Sequence, residues 1–415
     1  NMAINNASIT FDLGGAANPT APLWHVINFN VTGTVTNNIE GTGLTLGQFP
    51  LIKYTYGMIF GDGFPALQLG SLPARLSGYL SNNTDNLTVD IVITNDSSPK
   101  WNGNVTGGNW DINTTANWVS ISGGTPTTYL EPEVPGDKVL FDDTATGTTT
   151  VNLATTLSPL SLTVNNSSKN YTFTGSGGLS GPATLNKNGA GTLTIMNTGT
   201  NDFAGGVAIN GGKVLLSGSP DRLPTNAGVT LADTTDAALD LNGQDQAIGH
   251  LSGGGASGGH VSLGAGTLTL QAGDGVYHGV IGGNGGVVKS GSGSQTFTAA
   301  NTYGGGTLVS GGSLVVANLS DSGVGPGSVV VQTNASLYIG DGGANGSIAA
   351  ATITNSGVVV LNRSDDLTWG KLITGPGGFT KYNVNTVTIS TPNTYSGLTT
   401  IAGGALRITD PGALG

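Results

Sequence analysis

Residues 187–216 read KNGAGTLTIMNTGTNDFAGGVAINGGKVLL. Apolar and polar residues alternate in its short segments, as in Leu193-Thr194-Ile195, and this alternation places the apolar side chains on one face of a strand. Gly-Gly and Asn-Gly steps separate the segments and indicate tight turns. The pattern predicts several short, half-buried strands joined by turns, with Thr and Asn at outward and turn positions.

The same pattern recurs twice downstream. Residues 289–316 read KSGSGSQTFTAANTYGGGTLVSGGSLVV, and residues 381–408 read KYNVNTVTISTPNTYSGLTTIAGGALRI. These two copies align without gaps, whereas the first copy carries two extra residues in a turn. A unit of this length cannot bury its own apolar face, so the repeats predict stacked coils of a parallel β-helix. At about 25 residues per coil, a fully solenoidal chain would form about 16 to 17 coils.

Composition excludes several classes of protein. Glycine accounts for 71 of 415 residues but follows no three-residue period, which excludes collagen. Hydrophobic residues make up 37% of the chain, too many for a wholly disordered one. No apolar run approaches the roughly 18 residues of a membrane helix, so we expect no membrane span in this segment. A net charge of −11 and 13 scattered basic residues argue against a nucleic-acid partner, and the absence of cysteine excludes disulfides.

A family resemblance follows from the repeat residues. The pattern K-x-G-x-G-T-L-T-I, followed by N-x-[FY]-x-G-G, resembles the autotransporter-associated β-strand repeat, also called the passenger-associated transport repeat. The best match begins at Lys187 and includes Asn201 and Phe203, while the third copy replaces the two early glycines with Asn383 and Asn385. The resemblance implies the right-handed β-helix stalk of a large secreted or surface-exposed bacterial protein, and it implies no enzymatic activity.

Three regions follow from the composition along the chain. We expect a β-solenoid segment at 1–96, which resembles the end of a preceding repeat block, a junction rich in Trp and Pro at 97–135, and a β-solenoid with the three repeats at 136–415. The junction contains Trp101, Trp110 and Trp118. These side chains could stack on sugar rings or cover the end of a core, and the structural interpretation is favoured.

The two ends of the chain resemble neighbouring parts of one repeat. The C-terminal ALG joined to the N-terminal NMAINNASITFDLGG parallels residues 223–243, which follow the first repeat copy. We therefore expect head-to-tail continuation of the coils, and the partner is the chain itself. The continuation is either a tandem repeat within one long polypeptide or a stack of separate protomers.

No constellation of residues predicts catalysis, a cofactor or a metal site. The adjacent carboxylates Asp142/Asp143 and Asp365/Asp366 point to opposite faces of a strand, so neither forms an acid–base pair. Glu131 and Glu133 alternate with proline and are expected in a solvated loop. No zinc-protease spacing occurs among the histidines, and Asp341 with Asn345 lacks the further acids of a calcium loop. The four histidines are His25, His250, His260 and His278.

Three functions remain after these exclusions. The favoured one is a structural, non-enzymatic protein outside the cell or on a bacterial surface, which forms a stiff stalk or filament without a cofactor. The alternative is an adhesin or carbohydrate-binding module that binds surface glycans through exposed aromatic side chains. A polysaccharide-degrading enzyme is the least favoured of the three.

Overall fold

Nearly the whole chain is β-structure, as predicted. The computed structural model describes residues 1–14, 18–41, 43–132 and 134–415, and these residues contain 45 strands and one 3-10 turn at Phe64–Ala66. They divide into two compact units. Unit 1 comprises Asn1–Lys100 and Trp118–Thr127, and unit 2 comprises Trp101–Asn117 and Thr128–Gly415. Residues of the predicted junction 97–135 are thus shared between the two units.

The first third of the chain contains fourteen strands. They are β1 (Met2–Asn5), β2 (Ser8–Asp12), β3 (Trp24–Val26), β4 (Phe29–Thr32), β5 (Val35–Glu40), β6 (Gly47–Tyr54), β7 (Phe60–Gly61), β8 (Leu67–Leu69), β9 (Leu76–Asn83), β10 (Thr88–Asp96), β11 (Pro99–Trp101), β12 (Asn109–Trp110), β13 (Trp118–Ser120) and β14 (Pro126–Thr127).

Unit 1 combines stacked coils with a mixed sheet, in which β3 pairs parallel with β6. The ladders β1-β4-β7 and β2-β5-β8 are parallel, as a solenoid requires. In the sheet β3-β6-β10-β9, by contrast, β10 pairs antiparallel with both β6 and β9. The four residues between β9 and β10 allow only a hairpin, because parallel strands need a longer crossover. Unit 1 therefore departs from the pure solenoid expected over 1–96.

The remaining strands belong to unit 2. They are β15 (Lys138–Asp142), β16 (Thr150–Leu153), β17 (Ser161–Asn165), β18 (Tyr171–Thr174), β19 (Leu185–Asn188), β20 (Thr192–Ile195), β21 (Val207–Ile209), β22 (Lys213–Leu216), β23 (Val229–Leu231), β24 (Ala238–Asp240), β25 (Gln246–Ile248), β26 (Leu251–Gly253), β27 (His260–Ser262), β28 (Leu268–Leu270), β29 (Gly275–Tyr277), β30 (Ile281–Gly282), β31 (Val287–Lys289), β32 (Ser294–Phe297), β33 (Thr307–Val309), β34 (Gly312–Val316), β35 (Val329–Val331), β36 (Ala335–Ile339), β37 (Thr352–Asn355), β38 (Val358–Leu361), β39 (Leu367–Trp369), β40 (Leu372–Gly375), β41 (Gly378–Lys381), β42 (Thr386–Ile389), β43 (Thr394–Tyr395), β44 (Thr399–Ile401) and β45 (Ala405–Ile408).

Unit 2 is a parallel β-solenoid of about 12 turns. Its longest continuous ladder runs β15-β17-β19-β21-β23-β26-β29-β32-β34-β36-β38-β41-β44. Further parallel ladders are β12-β16-β18-β20-β22-β24-β27-β30, then β25-β28-β31-β33-β35-β37-β40-β43, and finally β39-β42-β45. Each coil thus contributes short strands to two or three faces, and this arrangement confirms the predicted fold class.

The coils are shorter than the sequence suggested. Val139 pairs with Leu162, Leu162 with Leu185, and Leu185 with Val207, which are steps of 22 to 23 residues. The estimate of 16 to 17 coils, made for a fully solenoidal chain, nevertheless exceeds the observed number of about 12 turns. It assumed a solenoid throughout the chain, whereas part of the N-terminal region forms the antiparallel strands β6, β9 and β10.

The core of unit 2 follows from the period-two pattern. In β17, Leu162 and Val164 are buried while Ser161 and Thr163 are partly exposed, and the same alternation recurs along the ladder. The inward Leu, Ile, Val and Phe side chains stack on their equivalents one coil above and below. At about 25 cal/mol per Å² of buried apolar surface, this stacking is the main stabilising contribution in a chain without disulfides.

Candidate functional site

Within each repeat copy, the first two strands pair with the last two strands of the same copy. In the first copy β19 pairs with β21, so that Lys187 lies beside Ile209, and β20 pairs with β22, so that Leu193 lies beside Val214. The second copy repeats this arrangement with β31–β33 and β32–β34, and the third with β41–β44 and β42–β45. A repeat therefore contains one complete turn of the solenoid together with the strands that close it.

The lysine that opens each repeat is buried. Lys187 is 0% exposed, and its ammonium group donates to the carbonyls of Asn188 (2.9 Å), Gly189 (2.7 Å) and Gly211 (3.1 Å). We call this arrangement the lysine cage. The carbonyls come from the end of β19, from the turn after it and from the equivalent turn one coil above, so the cage ties two coils together.

The lysine cage is present in all three copies. In the second copy, Lys289 donates to the carbonyls of Ser290 (2.6 Å) and Gly291 (3.2 Å). In the third copy, Lys381 donates to the carbonyls of Asn383 (2.7 Å) and Gly403 (3.0 Å), and also to the side-chain oxygen of Asn385 (2.8 Å). The Asn residues that replace glycine in the third copy therefore preserve the cage.

Burial lowers the pKa of all three lysines. Desolvation disfavours the ammonium form and lowers the pKa of Lys187 to about 8, although the charges of Asp236 and Asp143 oppose the shift. The pKa values of Lys289 and Lys381 are lowered for the same reason. The ammonium group of Lys187 therefore titrates at mildly alkaline pH.

A buried asparagine connects three successive coils in each repeat. The side-chain oxygen of Asn393 accepts the N–H of Ile373 (2.7 Å), and its side-chain nitrogen donates to the carbonyl of Ala413 (2.7 Å). Asn201 and Asn301 make the equivalent pairs of contacts. All three are 4% exposed, so the expectation that asparagine lies at outward and turn positions was wrong for them.

An aromatic residue follows each of these asparagines. Tyr303 places its hydroxyl 2.7 Å from the hydroxyl of Thr307, and Tyr395 does the same with Thr399. The first copy has Phe203 in place of the tyrosine, and Val207 in place of the threonine. The hydroxyl pair is thus present or absent as a unit, because one buried hydroxyl without the other would lack this partner.

The tryptophans of the predicted junction do not form a sugar platform. Trp101, Trp110 and Trp118 are all 0% exposed. In unit 2, Trp101 stacks on Phe141 with ring centroids 5.7 Å apart and donates from its indole nitrogen to the carbonyl of Thr148 (2.8 Å). Trp110 also contacts Phe141, at 5.5 Å. The structure therefore favours the core-covering interpretation over glycan stacking.

The candidate acidic residues cap turns. Asp143 accepts the backbone N–H groups of Ser167 (2.8 Å), Ser168 (3.0 Å) and Lys169 (2.9 Å) one coil above. Desolvation would raise the pKa of Asp143, but these hydrogen bonds outweigh it and hold the pKa below its usual value. Asp142 accepts the N–H of Thr144 within its own turn. The two adjacent carboxylates therefore have separate structural roles.

The other acidic candidates are also engaged. Asp365 forms an ion pair with Arg363 (2.7 Å), and Asp366 accepts the N–H of Thr386 (2.7 Å) from the next coil. Glu131 accepts the hydroxyl of Tyr129 (2.7 Å) and the N–H of Ser158 (2.8 Å), so it does not lie in the freely solvated loop that was expected. Glu133 lies outside the described residues.

Histidines and the candidate calcium loop form no ligand cluster. His260 accepts the N–H of Val280 (3.3 Å), and His278 lies 2.8 Å from the hydroxyl of Thr298. Asp341 accepts the N–H of Gly343 (3.0 Å) inside its own turn. His25 lies in unit 1 and His250 in unit 2. Within the part of the chain that the structure describes, no three His, Cys, Asp or Glu side chains are placed to hold a metal ion.

The last coil presents an apolar edge. Ile401 is 53% exposed and Ile408 is 46% exposed. Their equivalents in the first repeat, Ile209 and Leu216, are both 0% exposed because a further coil covers them. Among the described residues β44 and β45 pair on one side only, with β41 and β42. This edge therefore departs from the burial pattern of the first repeat.

Comparisons with known proteins agree with this architecture. The family model of the passenger-associated-transport-repeat matches residues 185–216, 287–316 and 379–408. The chain is 40% identical over 156 residues, 37% of its length, to the adhesin BmaC autotransporter of Brucella suis biovar 1 (strain 1330). It is 41% identical over 85 residues, 20% of its length, to the uncharacterized protein YuaQ of Escherichia coli (strain K12).

These matches cover small parts of the relatives. The aligned segments span 4% of the Brucella protein and 6% of the Escherichia coli protein. No solved structure matches the chain. Among the described residues, no helix is long and apolar enough to cross a bilayer. The resemblance seen in the repeats is confirmed, and the chain is a β-solenoid protein that carries three passenger-associated transport repeats.

Proposed function

We propose that the chain is a surface-exposed passenger segment with an adhesin-like, non-enzymatic role. The observation that supports this proposal most strongly is the placement of three passenger-associated transport repeats inside one continuous β-solenoid. The 40% identity to a Brucella adhesin autotransporter supports it further. The location that follows is the bacterial cell surface or the extracellular medium.

The construction of the solenoid suits such a location. Stability comes from parallel ladders and a continuous apolar core, and the chain contains no cysteine that would need oxidation. The carboxylates that were weighed as catalytic candidates cap turns or pair with Arg363, and this supports a non-enzymatic role. Surface display is tested by immunolabelling intact cells that carry the parent protein. Labelling that appears only after cell lysis would contradict the proposal.

We also propose that the coils continue head to tail to form a stiff stalk or filament. The exposed Ile401 and Ile408 support this proposal, because a further coil in register would bury both side chains as Ile209 and Leu216 are buried in the first repeat. The covering coil would belong either to the same polypeptide or to a second copy of the chain.

Microscopy and a denaturing gel test the filament proposal together. Electron microscopy of material isolated from its source should show filaments with an axial repeat that matches one copy of this chain. A band near 41.3 kDa on a denaturing gel would indicate stacked separate chains, and a much larger band a tandem polypeptide. Compact, monodisperse particles would contradict both forms of the proposal.

A further inference from the structure

A cleft in unit 1 is lined mainly by polar side chains. It lies on the sheet β3-β6-β10-β9 and encloses about 710 Å³. This volume falls within the range of about 300–1,000 Å³ that is typical of small-molecule sites. All four strands of the sheet contribute to its wall, so the cleft is built on regular structure rather than on one loop.

One row of side chains crosses the four strands of the sheet. His25 on β3 lies opposite Lys53 on β6, Lys53 lies opposite Thr88 on β10, and Thr88 lies opposite Asn83 on β9. Neighbouring strands are about 4.8 Å apart, so the row presents a polar group at each strand spacing. The opposite face of β10 carries Val89, which is buried in the apolar core of unit 1. The polar row is therefore confined to the cleft face.

A register shift accompanies this arrangement. Val89 pairs with Ile52, but the next residue, Asp90, pairs with Pro50, so β6 carries an extra residue at this point. Such bulges redirect side chains and are frequent beside binding sites. Here the shift coincides with the placement of the Asp90 carboxylate beside Thr88 in the cleft wall.

Two buried polar atoms in the cleft lack a partner among the described residues. Thr88 is 4% exposed and Asp90 is 2% exposed. One carboxylate oxygen of Asp90 accepts from the side-chain amides of Gln48 (2.7 Å) and Asn83 (3.0 Å), which hold the group in place. The other carboxylate oxygen and the hydroxyl of Thr88 make no hydrogen bond. Buried polar atoms of this kind are costly unless a ligand or solvent satisfies them.

Charge narrows the class of ligand. Lys53 lines the same cleft as Asp90, and its ammonium group donates to the carbonyl of Asn86. A single carboxylate in a cleft that also holds a lysine is a poor site for a divalent cation, which prefers several oxygen ligands and no nearby positive charge. The groups without a hydrogen-bond partner are one carboxylate oxygen of Asp90, which accepts, and the hydroxyl of Thr88, which donates and accepts. Both can form hydrogen bonds with the hydroxyl groups of a neutral ligand.

We propose that this cleft binds a neutral, polyhydroxylated ligand of one or two sugar rings. One ligand hydroxyl donates to the free oxygen of Asp90, and another forms a hydrogen bond with the hydroxyl of Thr88. This inference rests on the proposed adhesin-like role for its biological setting, and it supplies that role with a ligand class. It places glycan recognition on residues of unit 1 other than the buried tryptophans.

Binding to the full 415-residue chain tests the proposal. The chain is screened on an array of neutral mono-, di- and trisaccharides, and the strongest binder is then titrated by calorimetry. Thr88→Val removes the hydroxyl with little change in shape, and we expect it to weaken binding about tenfold, the effect of one lost hydrogen bond. Because that hydroxyl has no partner in the protein, Thr88→Val should fold with an unchanged or raised melting temperature.

Two control variants sharpen the test. Thr88→Ser restores a hydroxyl at the site, and Thr94→Val makes the same substitution on β10 at an exposed position outside the cleft. Both should bind within twofold of the wild type. An array without any binder would overturn the proposal, as would a Thr88→Val variant with wild-type affinity. Binding of calcium chloride or ethylammonium chloride in place of the sugar would also overturn it.

Cell attachment is measured separately. Beads coated with the wild-type chain or with Thr88→Val are incubated with glycosylated host cells, and attachment is counted. Sugar binding in solution without bead attachment would contradict the adhesin-like role while leaving the cleft assignment intact. A different result would contradict the cleft assignment alone. In that case the wild-type chain binds no sugar on the array, and beads coated with Thr88→Val attach to cells as well as beads coated with the wild type.

Discussion

The ammonium group of Lys187 shows how one side chain holds two coils together. Its three carbonyl partners belong to two successive coils, and the side chain is excluded from water. Replacing Lys187 with Met keeps most of the apolar stem but leaves buried carbonyls without a donor, each of which carries a desolvation cost. The lysine is therefore retained in the core despite the cost of burying its charge.

Lys187→Met should lower the free energy of unfolding by about 2–3 kcal/mol, because buried acceptors lose their partner. Urea denaturation followed by circular dichroism measures the change. Lys213→Met is the matched control, since the Lys213 side chain is 44% exposed and pairs with Asp240 at the surface. That control should change stability by less than about 1 kcal/mol. Equal effects of the two substitutions would argue against a special role for the cage.

The lowered pKa of Lys187 predicts a pH dependence. Between about 8, the folded pKa, and 10.5, the ordinary value, the unfolded chain binds more protons than the folded chain. The free energy of unfolding therefore rises with pH across this window, since the burial penalty on the charged form is relieved. The stability of the wild type relative to Lys187→Met, measured by urea titration at pH 7, 8.5 and 10, should increase. A constant difference would contradict the lowered pKa.

The hydroxyl pair of Tyr303 and Thr307 predicts strong coupling between two substitutions. Tyr303→Phe or Thr307→Val alone removes one partner of the buried hydrogen bond and should cost about 1–2 kcal/mol. The double variant recreates the Phe203 and Val207 combination of the first copy and should cost less than the sum of the single changes. A double-mutant cycle in urea measures the coupling. Additive costs would show that the two hydroxyls act independently.

At the scale of the element, the turn after β21 depends on backbone conformation. Gly212 has a φ of +64°, and a Cβ there would lie 2.2 Å from the carbonyl oxygen of Gly191 and 2.4 Å from that of Gly189. Neighbouring Gly211 has ordinary space around it, with no atom closer than 3.5 Å. Two adjacent glycines in one turn therefore have different reasons to be glycine.

Gly212→Ala should destabilise the chain by more than about 2 kcal/mol, because the left-handed conformation and the steric clash add together. Gly211→Ala should be neutral or stabilising by up to about 1 kcal/mol, because alanine restricts the unfolded chain. Thermal unfolding of both variants provides the comparison. A tolerated Gly212→Ala would show that the turn can rearrange.

The repeats were predictable from sequence because their chemistry is periodic. The alternation of apolar and polar residues around Leu193 and Ile195 can be read directly from the sequence, and parallel stacking of coils buries the apolar face of every such strand. The buried roles of Lys187 and Asn201 were not predictable, because a polar residue in a turn-rich segment is usually exposed. Their partners come from coils about 22 residues away, and the number of residues per coil cannot be read from a strand pattern.

The cleft of unit 1 escaped prediction for a different reason. Thr88 and Asp90 alternate with Val89 and Ile91, which reads as an ordinary half-buried strand with its polar side in water. The polar side becomes buried because side chains of the flanking strands β6 and β9 close over it, as Gln48 and Asn83 do when they donate to Asp90. Pairing partners of this kind depend on the hairpin and on the register shift beside Asp90, and neither is visible in the sequence pattern.

At the scale of the whole molecule, the last coil should be the least protected part of unit 2. Its strands β44 and β45 pair on one side only among the described residues, and local opening is easiest where contacts are fewest. Hydrogen exchange followed by mass spectrometry at low protein concentration should show faster exchange in Ala405–Ile408 than in the equivalent Lys213–Leu216. Equal protection of the two strands would contradict this expectation. Protection that rises with concentration would support stacking of copies.

The self-pairing of each repeat has a consequence for how the chain folds. Strand partners in the three repeats are separated by 20 to 22 residues, so contact order is low for an all-β protein and loop closure costs little entropy at each step. A nascent chain can add one coil as soon as roughly that many further residues have emerged, without waiting for its distant end. Each repeat, which contains a complete turn and its closing strands, can then act as a seed on which the following residues assemble in order.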